Sequence, residues 1–259
     1  MTFKEWLLSS ADNPSIDGQW KLPHILTLVL SIAIIVAIPQ LIKLFKNKEK
    51  AKKVALWILV GSILTFEIVR RILNLYKNTD YTLNSYMYIL LPRPWCAISC
   101  WVLIIAAVSK KKFLYNFASF SSLLCALIFF AYPGAGFNNK YFEFENIYSI
   151  GTHALLLVTS ITLITLKFTD FRYKTIWKEL ICYAIVFGYA FLEIYLLDIA
   201  DDPLYFMPNN DVQDILSVGY PLFLILYIVF VIFYTNCFYL INDFKAVKSK
   251  LFNKQKMAK

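Results

Sequence analysis

Charge is scarce in this chain. Only 17% of its 259 residues are charged, where a soluble domain carries about 25%. No loop holds a cysteine: Cys96, Cys100, Cys125, Cys182 and Cys237 all lie inside apolar stretches, and an odd count so placed excludes a disulfide framework. The first twenty residues lack a basic head followed by an apolar run, so a cleavable signal peptide is not expected. No Pro/Gly/Ser-rich linker and no internal repeat breaks the sequence, which reads as one domain over 1–259.

What is present in excess is apolar surface. Hydrophobic residues make up 59% of the chain, more than a water-exposed fold of this length accommodates unless lipid covers it. A helix crosses a bilayer in roughly 20 mostly apolar residues. Seven such runs predict spans at 22–42, 54–76, 88–109, 113–132, 147–166, 178–198 and 215–241. The second, with Glu67, Arg70 and Arg71, and the sixth, with Glu193, carry the weaker apolar signal. The runs are too continuously apolar for barrel strands, so the predicted fold is an all-α, polytopic transmembrane helical bundle.

Charge placement orients it. Lys43, Lys46, Lys48, Lys50, Lys52 and Lys53 follow span one, and Lys110, Lys111 and Lys112 follow span three. Lys167, Arg172, Lys174 and Lys178 follow span five, and the tail holds Lys245, Lys248, Lys250, Lys254, Lys256 and Lys259. These alternate segments hold nineteen of the 26 basic residues, whereas the others hold Lys4, Lys21, Lys77 and Lys140 with most acids, Asp198, Asp201, Asp202, Asp211 and Asp214 among them. The positive-inside rule predicts N-terminus out and C-terminus in. The net charge of +9 is then a rim facing anionic lipid, worth about 1 kcal/mol per basic residue, and no nucleic acid is expected as partner. Membrane lipids are; no protein partner is indicated. The Lys, Ile, Asn, Phe and Tyr usage suggests an AT-rich bacterial genome.

An ionisable residue within a span costs about 2.5–3.5 kcal/mol on insertion scales and calls for a partner or a function. Under this topology Glu67, Arg70, Arg71, Arg93, Cys96, His153, His24 and Glu193 all fall in the outer half of the membrane. Glu67 with Arg70 or Arg71, at i,i+3 or i,i+4, forms an ion pair or serves a site. Cys100, Cys125, Cys182 and Cys237 read as small hydrophobes. Cys96 differs: a helix starting near Pro92 or Pro94 puts it in a first turn, where the positive helix end and Arg93 stabilise a thiolate. His153 is the base candidate at that depth, so a Cys96–His153 dyad is one reading and inert packing is the other. Zinc held by Cys96, Cys100, His153 and Glu67 lacks a second tight ligand pair, so no metal and no cofactor are expected. Span seven has no lysine, which excludes a retinal Schiff base.

Several short stretches carry a family likeness: His24 within Leu22-Pro23-His24-Ile25-Leu26, Leu91-Pro92 before Cys96-Ala97-Ile98-Ser99, His153, and Tyr205-Phe206-Met207-Pro208. With these the chain resembles the YwaF-type integral membrane proteins of bacteria, similar to the eukaryotic transmembrane protein 164 acyltransferases. The resemblance implies acyl transfer between phospholipids, with Cys96 as nucleophile and His153 as acid/base. The family pattern has a histidine two places before the cysteine; here Pro94 stands there, so that role is lost or moves to His24. On this reading Arg93, Arg70 or Arg71 holds the lipid phosphate, with Ser99 and Glu193 near the site. The alternatives are a transporter or channel along a Glu67–Arg70–Glu193 path, and a non-catalytic membrane scaffold.

Overall fold

The computed structural model describes Glu5, Trp6, residues 20–131, Phe137, residues 143–197, 204–208, Gln213 and residues 216–244. Lys4, Lys140, Asp198, Asp201, Asp202, Asp211, Asp214 and the basic tail from Lys245 lie outside that set. The chain divides into two compact units, residues 1–169 and 170–259.

The first unit is built from α1 (Leu22–Lys43), α2 (Lys48–Lys77), α3 (Leu83–Leu90), α4 (Trp95–Ser109), α5 (Lys112–Ala131) and α6 (Phe144–Thr165). Sequence signals set the boundaries. Pro23 sits in the first turn of α1, where a missing N–H costs nothing. The Asn47 side chain caps α2 by accepting from Lys50 N at 3.0 Å, and Thr82 caps α3 through Ser85 N at 3.3 Å. Lys110, at φ 56°, closes α4 in a left-handed conformation, so α5 begins two residues later.

α5 lies at the centre of this unit, with 72% of its apolar window buried. It packs on α4 and α6, and α6 in turn packs on α1 and α2. Val60 and Ile63 of α2, Leu103 of α4 and Leu156 of α6 fill the core around it. Ala106, Ala118 and Ala126 are fully buried there, and such small residues let helices approach closely when lipid removes the hydrophobic drive between them. Hydrogen bonds stitch the seams: Ser160 Oγ donates to the Ser119 carbonyl at 2.6 Å, and the Ser99 and Ser121 hydroxyls meet at 2.6 Å.

Gly151 of α6 is required by one such approach. A Cβ there would meet Phe66 Cε1 of α2 at 3.0 Å and Cζ at 3.2 Å. Gly151→Val should therefore overpack the α2–α6 contact and cost about 1–3 kcal/mol, read by denaturant unfolding in detergent; adding Phe66→Leu should recover part of the loss.

The second unit holds a 3₁₀ turn (Tyr173–Thr175), α7 (Trp177–Phe191), a π-helical turn (Leu192–Leu196) and α8 (Tyr220–Asn242). Tyr173 joins the two ends of this unit: its N–H donates to Asp243 Oδ2 at 2.9 Å and its hydroxyl to Asn236 Oδ1 at 2.7 Å. Fully buried Glu179 accepts a short hydrogen bond from Tyr239, which is also fully buried.

Among the described residues, five helical segments are long and apolar enough to cross a membrane: α1, α5, α6, Tyr173–Leu196 and α8. On α1 and α8 only 11% of the apolar window is buried. Faces as bare as Leu22, Val29, Leu30 and Ile32, or Ile225 and Phe233, belong in lipid rather than water. The predicted third span, 88–109, is not one helix. It is α3 and α4, which meet at 62° and count as a sixth crossing only if taken together. Pro92 and Pro94 lie in the break, lacking the N–H groups that a continuous helix would need. α2 is not among the crossing candidates, because its lysine-rich first turns and its Glu67, Arg70 and Arg71 interrupt the apolar run.

Candidate functional site

The charged residues of α2 converge on one carboxylate. Glu67 is fully buried and forms a short ion pair with Arg71, one turn on. Arg70 Nη2 stands 3.6 Å from the same oxygen, and Tyr148 of α6 donates to the other at 2.6 Å. Charged groups this deep in a low dielectric need such partners. Each guanidinium also reaches the α3–α4 break: Arg71 Nε donates to the Leu90 carbonyl at 3.0 Å, and both terminal nitrogens of Arg70 point at the Arg93 carbonyl at 3.3 Å. A break in a helix exposes carbonyls, and here arginines satisfy them. Aromatic faces back the cations. Arg70 lies 5.5 Å from the Tyr148 ring centroid, Arg71 5.3 Å from Trp101 and Arg93 4.8 Å from Tyr88, the distances of cation–π contacts.

Cys96 follows directly. Pro94 is the residue before α4 and Trp95 its first, so Cys96 stands in the first turn, as its proline setting predicts. Cys96 is half-buried, and Arg70 is anchored on the Arg93 carbonyl three residues before it. Helix N-terminal amides carry partial positive charge, and an arginine nearby adds to it. Ser99, one turn on, turns away to α5, where its hydroxyl meets Ser121 and, at 3.4 Å, Cys125 Sγ.

The two histidines share an aromatic cluster. His24 is fully buried and lies 4.6 Å from Phe137, Phe137 lies 5.6 Å from Phe129, and Phe129 stacks on His153 at 3.8 Å and 6°. Trp20 N–H donates to His24 Nδ1 at 3.1 Å, which places the proton of neutral His24 on Nε2. His153 has the opposite assignment: its Nδ1 faces the Ser149 carbonyl at 2.8 Å, so Nδ1 carries the hydrogen and Nε2 keeps the lone pair. No hydrogen bond joins Cys96 to His153, although α4 and α6 touch. Glu193 belongs to the second unit, in the π-helical turn, where it accepts from Tyr189 at 2.6 Å.

Sequence reasoning missed Tyr148, which completes the Glu67 cluster from another helix. With 17 tyrosines in the chain, nothing in residue type singles it out. It also missed Phe129, which stacks on the ring of His153, and Glu179, a buried carboxylate beside Lys178 in the first turn of α7; an acid next to the basic segment was the available signal. Among the described residues, no group of three or more His, Cys, Asp or Glu side chains is placed to hold a metal ion.

Long apolar helices whose faces are left bare of protein define a membrane protein with transmembrane helices. A model of the TMEM164 family matches residues 19–241, so the chain belongs to that family. Comparison with curated proteins finds no match, and neither does comparison with solved structures.

Proposed function

We propose that the protein is a membrane acyltransferase of the bacterial, YwaF-like kind, moving fatty acyl chains between phospholipids through a thioester on Cys96. The observation that carries this reading is the setting of Cys96: a thiol in a helix's first turn, three residues after the carbonyl that anchors Arg70, in a TMEM164-family chain. His153 Nε2 takes the thiol proton, and the sulfur attacks the ester carbonyl of a lipid. The carbon–oxygen bond breaks, the lysolipid oxygen takes the proton from His153, and the acyl group stays on sulfur. A second lysolipid hydroxyl then gives its proton to Nε2 and attacks the thioester, which returns the thiolate; water in its place gives hydrolysis. The dyad's hydrogen bond forms when substrate is seated, since catalytic hydrogen bonds are often long or absent in empty sites. Both oxygens of Glu67 are engaged by Arg71 and Tyr148, which disfavours it as a step in a conduction path.

The topology proposed with this function has seven crossings, N-terminus out and C-terminus in. α2 has 30 residues, about 45 Å at 1.5 Å each, enough to cross with Glu67 paired inside the bundle. A cytoplasm-dependent reporter should be active when fused after Lys259 or in the 46–53 loop and silent at the N-terminus. Activity at the N-terminus would reverse the orientation.

The test of the function is lipidomics of membranes overproducing the protein beside its Cys96→Ala variant. Wild type alone should shift acyl chains among phospholipid classes; identical profiles would remove the acyltransferase reading.

A further inference from the structure

We propose that Arg70 and Arg71 form a subsite for the phosphate of an anionic glycerophospholipid, and that this selects anionic over zwitterionic headgroups. The inference deepens the acyl-transfer reading and rests on it for what happens after binding.

Charge balance points to it first. Two guanidinium groups share a single carboxylate, Glu67, and Tyr148, the other side chain on that carboxylate, is a neutral donor. One positive charge is left over in a membrane-depth site, where an uncompensated charge is expensive. A phosphodiester carries the one negative charge that balances it.

Donor accounting agrees. Arg70 Nε and Arg71 Nη2 are buried and have no hydrogen-bond partner, although Arg71 is only 7% exposed. Buried N–H groups in native proteins are nearly always satisfied, and guanidinium donors match phosphate oxygens in geometry. The remaining donors of both side chains are spent on Glu67 and on the carbonyls of Leu90 and Arg93, which hold the guanidinium groups in place before any ligand arrives.

Position agrees as well. Arg70 is tied to the Arg93 carbonyl, three residues before Cys96. A phosphate there places the glycerol esters of the same lipid toward the thiol. The headgroup preference follows from the surroundings. With the phosphate balancing the arginines, a choline or ethanolamine ammonium would need a carboxylate of its own, and both oxygens of Glu67 are already engaged. The faces of Tyr148 and Trp101 that would cage such a cation already carry Arg70 and Arg71.

The test uses the full chain in neutral detergent, with binding of dioctanoyl phosphatidylglycerol, dioctanoyl phosphatidylcholine and inorganic phosphate measured by competition against a fluorescent phosphatidylglycerol. Phosphatidylglycerol should bind best, and Arg70→Gln should weaken it about tenfold, the effect of losing a hydrogen bond to a charged group. Arg70→Lys should recover only part, because it restores charge without the fork. Equal affinity for the two lipids, or no change in Arg70→Gln, overturns the proposal; competition by inorganic phosphate as strong as by the lipid overturns its lipid part. Cys96→Ser should still bind. If wild type binds phosphatidylglycerol selectively yet transfers no acyl chain, the acyl-transfer reading fails while the subsite stands.

Discussion

A lipid-like electrophile, such as a fatty chain bearing a chloroacetamide, should alkylate Cys96 in preference to the other four cysteines, and Cys96→Ala should lose acyl transfer by at least about 10³-fold. The size follows from the role: removing a covalent nucleophile cost about 10⁶ in the enzyme where it has been dissected. His153 should matter less, about 10²- to 10⁴-fold, the usual worth of a general base. Because His153 stacks on Phe129 at 3.8 Å, His153→Phe is the better variant: it keeps a ring there and removes only the base. Folding is checked by detergent-phase melting of each variant. Peptide mapping of the labelled protein decides the matter. Equal labelling of Cys96 and Cys100, unchanged by His153→Phe, would leave Cys96 as packing and the protein as a scaffold.

Cys100 makes this a sharp comparison, since it lies one turn further along the same helix face and is fully buried in the core. Two thiols with the same sequence neighbourhood thus differ in what surrounds them. Cys96 stands in the helix's first turn and is half-buried; Cys100 is sealed in the core.

That difference shows where sequence patterns suffice and where they do not. Apolar run lengths located α1, α5, α6 and α8 to within a few residues, because lipid imposes a length on any helix that crosses it. The proline pair before Cys96 foretold the helix start. It did not foretell that residues 91–94 would split the run into two helices at 62°, since hydropathy is blind to direction. The Glu67–Arg71 pair was legible because i,i+4 neighbours must meet on a helix. Tyr148 was not, being brought to Glu67 from 81 residues away by α2–α6 packing around Gly151. The histidines were visible as rare residues, but their tautomers depend on Trp20 N–H and the Ser149 carbonyl, which no spacing rule relates to chemistry.

Glu67→Leu should be the most destabilising single substitution in the cluster, costing about 3–5 kcal/mol, the range for breaking a buried ion pair from one side. The substitution leaves Arg71 and Arg70 without a counter-charge at a depth where water is scarce, and Tyr148 without its acceptor. Glu67→Leu combined with Arg71→Leu should recover much of the loss, because replacing both partners of a buried pair by apolar groups is often neutral or better. Tyr148→Phe removes only the hydrogen bond to the carboxylate and should cost about 1.5–3 kcal/mol. Equilibrium unfolding in mixed micelles of denaturing and neutral detergent measures all three. A loss under about 1 kcal/mol for Glu67→Leu would mean that the arginines reach water or lipid headgroups unaided. A double variant worse than the single would mean that Arg71 holds the α3–α4 break through the Leu90 carbonyl more than it neutralises Glu67. The pair's second function is then the joint itself: the same guanidinium that meets the carboxylate fixes the break from which α4, and Cys96 with it, begins.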